Sequence, residues 1–399
     1  MKKYKVAFLI SHPIQYFSPL FKEMASQKEI ELKVYYCSDE SVRGMKDKGF
    51  GIDLKWDIPL LEGYEYKFLK NYSPKPSIFN GFFGLMNFSI IDELRKGKYD
   101  VLIVHGWNYL TNIIGIIVAK LFGIKIFIRG DNPLNQEIKK SKYKIFIKKI
   151  ILKNFLFKII DAFLYVGEEN KNFYKFYGVP ENKLFFTPYA VDNEKFIKGY
   201  ENFIKEKDKI KRENGISEDK SVILFCGKLI EKKRPMDLLF AYEKINLKNK
   251  ALVYVGDGIL RRKIENYVKE KGIKDVYLLG FKNQSELPKY YAIADIFVLP
   301  SSIGETWGLV VNEAMCFNLP IIVSDMVGCA KDLVKHGENG FIYPVGDIEK
   351  LKEYMEKLLK EKDLREKMGR NSLKIVSKYT YKKDVEGILE AIEFYKSKN

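Results

Sequence analysis

From Ile296 the chain reads IFVLPSSIGETWGLVVNEAMCFNLPIIVSD, and two carboxylates, Glu305 and Glu313, stand on either side of a glycine, Gly308. A buried strand is expected to end at Pro300, a polar glycine-bearing loop follows, and the spacing predicts a helix over residues 308–317. A helix that opens with unpaired backbone N–H groups just past a strand is an anion site, and a glycine there lets a phosphate approach the main chain closely. With seven residues between them, the carboxylates would lie up to ~12 Å apart along a helix axis. Two carboxyl groups acting across one glycosidic bond keep roughly 5–9.5 Å, so this pair is not expected to share one bond as acid and base. Flanking a diphosphate, it would suit hydroxyl groups at either end. In isolation the same residues read better as a first-turn acid favoured by the helix dipole and a solvated helix residue, and only the rest of the chain tips the balance.

Three histidines are present. His12 follows an apolar run in Ser11-His12-Pro13-Ile14-Gln15, and His105 follows another in Val104-His105-Gly106-Trp107. Arg129-Gly130-Asp131-Asn132 closes a third run. All three sit at expected carboxyl ends of strands, where parallel α/β sheets present ligand-binding groups. His12, Gln15, Trp107, Arg129 and Asp131 are accordingly the acceptor-side candidates, whereas His336, in a helix-end turn, is given no role. Gly256-x-Gly258 is a weak dinucleotide match, because Arg261 replaces the third glycine, and a tight βα turn explains it. No Asp-x-Asp occurs and no His/Cys cluster has metal-ligand spacing, so neither a metal nor a cofactor is expected.

The elements that must position these groups alternate between strand and helix. Apolar runs at 5–10, 101–104, 124–128 and 162–166 are each followed by a turn and a segment of helical period. A second series runs through 221–225, 251–255, 276–279, 296–299 and 321–323. This rhythm predicts an α/β protein of two Rossmann-like, doubly wound parallel-sheet domains. The expected division is 1–195, a charged linker at 196–219, and 220–380. The helical segment 381–399 is expected to join the first domain.

At 399 residues with 46% hydrophobic content, the chain has material for two cores. Four scattered cysteines fit reduced thiols and a cytoplasmic location. The opening apolar run Val6–Ile10 is shorter than the roughly 7–15 residues of a secretory h-region, so a buried strand is expected there. No stretch approaches the roughly 18 apolar residues of a membrane span. The net charge is +17, and 138–160 holds eight lysines and no acid. Solvated helix faces account for such lysines, as does an anionic membrane surface on the inner face of the membrane. Lys140, Lys144 and Lys148 would form one stripe of a helix, and Ile147, Ile151 and Phe155 an apolar row, buried in the protein or at a membrane. Nucleic acid is not expected as a partner, because no binding motif or stacking platform accompanies the charge.

The segment from Ile296 resembles the donor-binding region of glycosyltransferase family 4, retaining enzymes of the GT-B architecture. Phe225-Cys226-Gly227-Lys228-Leu229 with Lys232-Lys233, Val255-Gly256-Asp257-Gly258, Leu279-Gly280-Phe281 and Asn182-Lys183 through Pro188-Tyr189-Ala190-Val191-Asp192 match in the family's order. The resemblance spans nearly all of residues 160–350. It implies two domains facing a cleft and transfer of a hexose from a UDP- or GDP-sugar to a sugar or lipid-linked acceptor, as in cell-surface glycan or glycolipid assembly. It further implies that Lys228 and Lys233 hold the diphosphate, with Gly227 in the turn before them. The amides of Gly308, Leu309 and Val310 would cradle the phosphates, Glu313 accept from the ribose, Glu305 contact the transferred sugar and Phe281 lie near the base. His105 would lie near the donor sugar. The chain departs from the family's pattern twice: Lys228 stands where arginine is usual, and His12-Pro13 replaces a Gly-Gly loop. The alternatives are a sugar-nucleotide epimerase of GT-B architecture and a non-catalytic basic membrane-binding protein.

Overall fold

The computed structural model describes residues 3–47, 49 and 51–396. The chain divides into two compact units, one of residues 1–45, 54–189 and 381–399, the other of 46–53 and 190–380.

The first unit is built on a seven-stranded parallel sheet. Its spatial order is Glu65–Phe68, Ile30–Tyr36, Tyr4–Ile10, Val101–His105, Lys125–Gly130, Ala162–Tyr165 and Leu184–Phe186. The central strands are continuous apolar runs because helices cover both sheet faces; Val6, Phe8, Ile10, Leu102 and Ile126 are all buried. Chain order reverses between Tyr4–Ile10 and Val101–His105. Crevices at such switch points, outside the carboxyl ends of the strands, are where open α/β sheets bind ligands. The helix Tyr381–Lys396 packs in this unit, and Asp384 on it forms a bidentate pair with Arg129, both bonds at 2.6 Å.

The second unit repeats the winding with six parallel strands, ordered Val276–Leu278, Lys250–Val255, Ser221–Cys226, Ile296–Leu299, Ile321–Ser324 and Gly340–Tyr343. Its switch point lies between Ser221–Cys226 and Ile296–Leu299.

The charged segment 196–219 is not the linker its composition suggests. It lies within the helices Asn193–Phe203 and Lys207–Glu213 and the turn beyond, packed in the second unit. Phe196 lies on Tyr291 and Phe317, and the buried Lys211 donates to the carbonyls of Glu218 and Lys220. A lysine employed as an internal strut supplies structure that an apolar count misses. Among the described residues no helix is long and apolar enough to cross a membrane.

Candidate functional site

In the second unit, the loops at the switch point carry most of the candidate residues. Strand Ser221–Cys226 runs into Gly227, whose φ of +149° is open to glycine and strained for other residues. The neighbouring strand Lys250–Val255 runs into Gly256, where an added Cβ would lie 1.9 Å from the Gly227 carbonyl oxygen. Two glycines thus bring the strand-end turns into backbone contact. The turn Glu231–Lys233 then projects Lys232 and Lys233.

Lys233 Nζ meets Glu305 Oε2 in an ion pair that is largely buried on both sides. Ser301 Oγ donates to the same oxygen at 3.0 Å, and Lys232 Nζ donates to the Gly304 carbonyl at 3.0 Å. Burial pushes the Glu305 carboxyl up, but the charge and hydrogen bond of Lys233, the charge of Lys232 and the Ser301 bond outweigh it. The carboxyl is held below the usual carboxylate value. Glu305 is therefore an anion at neutral pH.

The helix after the loop spans Leu309–Met315 and begins at Gly308, with φ +100°. A Cβ on Gly308 would approach Leu299 Cδ2 to 3.0 Å and Val327 Cγ1 to 3.2 Å. Both the conformation and the space select glycine, and the amides of Leu309 and Val310 open the helix. Glu313 is not a solvated helix residue: it is fully buried, and Tyr291 Oη donates to its Oε2 at 2.7 Å. Trp307 Nε1 donates to Asn312 Oδ1 at 3.0 Å, fastening the loop to the same helix. Lys228 and Phe281 are half-buried at the ends of strand–loop transitions in this unit. Ser301 and Tyr291 were not singled out from sequence; a serine two residues past a strand and a tyrosine in a helix carry no spacing signal of their own.

In the first unit His12 and His105 flank the switch point, each at the carboxyl end of its strand. His105 Nε2 shares a 3.3 Å hydrogen bond with Tyr189 Oη, and its ring lies edge-on to Phe17, centroids 4.8 Å apart. Ser11 Oγ meets His12 Nδ1 at 2.9 Å. Burial lowers the His12 pKa to about 4, with His105 contributing, and burial together with the Arg129 charge lowers His105 to about 3. Both imidazoles are therefore neutral hydrogen-bonding groups at pH 7.

Arg129 does not line a ligand surface. It is fully buried, its guanidinium held by Asp384 and stacked against Phe17 and Tyr189. Trp107 packs on Phe173 and Phe157, half-buried, and Gln15 and Asp131 are half-buried near the strand ends. His336 accepts from the Ile342 amide and packs on Phe341 and Tyr354.

Comparison with known proteins places these geometries in context. Residues 206–375 match the family model for glycosyl transferases group 1. The chain is 37% identical to an uncharacterized glycosyltransferase of Methanocaldococcus jannaschii over 143 residues, 35% of this chain and 36% of that one. It is 28% identical over 312 residues, 77% of each chain, to an alpha-1,4-N-acetyl-D-galactosaminyltransferase of Campylobacter jejuni. The match spans between 36% and 55% of the length of the first three curated relatives. Among solved structures, the Anabaena protein HepE in complex with UDP and glucose superimposes with a TM-score of 0.72 at 16% identity, covering 98% of this chain and 99% of that one. Likeness at that identity establishes the fold, two parallel-sheet α/β units as in GT-B glycosyltransferases.

Proposed function

We propose that this chain, whose residues 206–375 match the family model for glycosyl transferases group 1, moves a sugar from a nucleotide-diphospho-sugar to an acceptor hydroxyl with retention of anomeric configuration. The observation that carries the reading is the buried Lys233–Glu305 pair at the switch point of the second unit. It sets a cation and an anion together at the mouth of a sheet, where a diphosphate and the hydroxyls of a sugar would each find a partner.

In this account Lys233 and Lys228 neutralise the charge that builds on the departing diphosphate, electrostatic stabilisation placed where charge develops. The amides at Gly308, Leu309 and Val310 hold the same phosphates. Arrival of the diphosphate draws Lys233 toward it and leaves Glu305 to accept from the sugar. Glu313, oriented by Tyr291, accepts from the ribose hydroxyls, and Phe281 lies beside the base. The bond from the anomeric carbon to the phosphate oxygen breaks, the acceptor oxygen bonds to that carbon on the same face, and the acceptor proton passes to the departing phosphate oxygen. In the first unit His105 and His12 are neutral polar groups, suited to uncharged sugar hydroxyls, and with Gln15, Trp107 and Asp131 they are the candidates for acceptor recognition. Two lysines balance the diphosphate, so transfer is expected to proceed without a divalent ion. Binding to UDP by HepE supports a uridine donor for this chain as the first to test.

The test is a panel of UDP- and GDP-sugars, with free nucleoside diphosphate measured before and after addition of acceptor sugars and the product anomer read by NMR. Acceptor-dependent release with retained configuration, unaffected by EDTA, is expected. Interconversion of the donor sugar without release would favour the epimerase reading and overturn transfer.

A further inference from the structure

The helix Lys142–Ile151 of the first unit has no buried residue. That is unusual for a helix joining two strands of a parallel sheet, which ordinarily buries one face on it. Here Leu152 and Phe157, just beyond its end, make the core contacts instead. The side chains left outside are not polar. Tyr143 is 73% exposed, Phe146 63% and, past the helix, Phe155 68%. At about 100° per residue, Phe146, Ile150, Tyr143, Ile147 and Ile151 fall within one arc roughly 140° wide. Lys142 and Lys149 border one edge of that arc and Lys144 the other.

We propose that this segment is a membrane-docking element: Tyr143, Phe146, Ile147 and Ile150 enter the interface of an anionic lipid bilayer, and the bordering lysines engage its headgroups. Two observations select a lipid surface as the occupant. Residues 138–160 hold eight lysines and no acid, which complements an anionic surface and opposes self-pairing through the same face. The apolar exposure is also concentrated in one unit: of 19 exposed large hydrophobic side chains among the described residues, 17 lie in the first unit and only Ile259 and Ile303 in the second. An amphipathic helix with aromatic and aliphatic residues on one face and lysines along its borders lies in the plane of a bilayer interface.

The structure revises which lysines take part. Lys140 and Lys148 turn inward to the buried Glu137, at 2.8 and 2.9 Å, and Lys148 also lies over the rings of Phe173 and Tyr177. With Ser141 and Lys144 they line a cavity of about 490 Å³. Burial and the neighbouring Lys140 lower the Lys148 pKa against the pull of Glu137. Two lysines of the regular Lys140–Lys144–Lys148 stripe are thus committed to the buried Glu137. The lysines that border the apolar arc and remain for the headgroups are Lys142, Lys144 and Lys149, of which Lys149 also lies over the Phe176 ring at 5.5 Å.

This inference is independent of the transferase reading and is tested on the full chain by flotation with two kinds of vesicle, phosphatidylcholine alone and phosphatidylcholine mixed with phosphatidylglycerol. Binding to the mixed vesicles, released by salt, is expected. The double variant Phe146→Ser, Ile150→Ser should bind at least tenfold more weakly, an order of magnitude set by the apolar area withdrawn. Each of Lys142→Gln and Lys149→Gln should lose about fivefold. Because these side chains are exposed, thermal unfolding and nucleotide binding of the variants should match the wild type. Unchanged flotation of the double variant, equal binding to neutral vesicles, or concentration-dependent dimerisation abolished by the same substitutions would overturn the proposal.

Discussion

Lys233 and Glu305 are 72 residues apart in sequence and meet, ammonium against carboxylate, at the carboxyl ends of two neighbouring strands of the second unit. The pair is buried, so its members do not substitute independently. Lys233→Met should lower transfer by about 10²-fold or more, the scale of losing one group aimed at developing charge. It also removes the ammonium that faces the buried Glu305 carboxylate, at a stability cost of about 3–5 kcal/mol. Adding Glu305→Gln should restore much of the stability and none of the transfer. Urea unfolding and turnover of the three variants check this, and a double variant no more stable than Lys233→Met would argue against the pairing.

Tyr291 and Glu313 form the second relationship at this site, with the tyrosine hydroxyl donating at 2.7 Å to a fully buried carboxylate. Tyr291→Phe removes that donor, at about 1.5–3 kcal/mol for a hydrogen bond to a charged group. If Glu313 holds the ribose, Glu313→Ala weakens nucleoside diphosphate binding and Tyr291→Phe weakens it less, both read by calorimetric titration. Equal affinities in all three proteins would remove Glu313 from the donor site.

The first unit should be acid-sensitive in a range where carboxylates are still ionised. His12 and His105 take up protons in the folded protein only near pH 4 and 3, against 6.5 for an ordinary imidazole. Between these values the unfolded chain binds more protons than the folded one, so stability rises with pH and is lost as pH falls below 6.5. Each imidazole contributes up to about 1.4 kcal/mol per pH unit there. Urea midpoints should therefore drop between pH 6.5 and about 5, and His105→Gln should flatten the slope. A wild-type midpoint constant over this range would mean the imidazoles titrate normally.

Asp384 and Arg129 tie the C-terminal helix to the sheet of the first unit through a wholly buried pair. Asp384→Ala strands a guanidinium in the core and should cost about 3–5 kcal/mol. Asp384→Leu combined with Arg129→Met should recover most of that. Hydrogen exchange of the amides in Lys125–Gly130 reports the change, and unaltered protection in Asp384→Ala would show the pair to be dispensable.

The strands that build both switch points were legible because they are continuous apolar runs, buried on both faces and bounded by glycine or polar turns. Glu65–Phe68, mostly exposed, and Leu184–Phe186, only half-buried, were not, because neither has a run long enough to separate from a loop, and Ile30–Tyr36 was missed because Glu31 and Lys33 interrupt its apolar run. Residues 196–219 looked like a linker because their charge hides helices whose few apolar contacts, Phe196 and Ile210, are widely spaced. At the site, glycine positions and the placement of Glu305 after a strand could be read from spacing. The partners could not, since Ser301, Tyr291 and Asp384 reach their counterparts only through tertiary packing. Arg129 illustrates the converse: strand-end position marked it for a ligand, and packing gives it to Asp384.

The central claim, that the second unit holds a nucleotide diphosphate with Glu305 reserved for the transferred sugar, is tested most directly by one comparison. Wild type and Glu305→Gln are titrated calorimetrically with the nucleoside diphosphate that binds, and assayed for transfer in parallel. Nearly unchanged nucleoside diphosphate affinity is expected in Glu305→Gln, with transfer reduced by about 10²-fold or more. Transfer at the wild-type rate in Glu305→Gln, or loss of diphosphate binding together with activity, would contradict that claim.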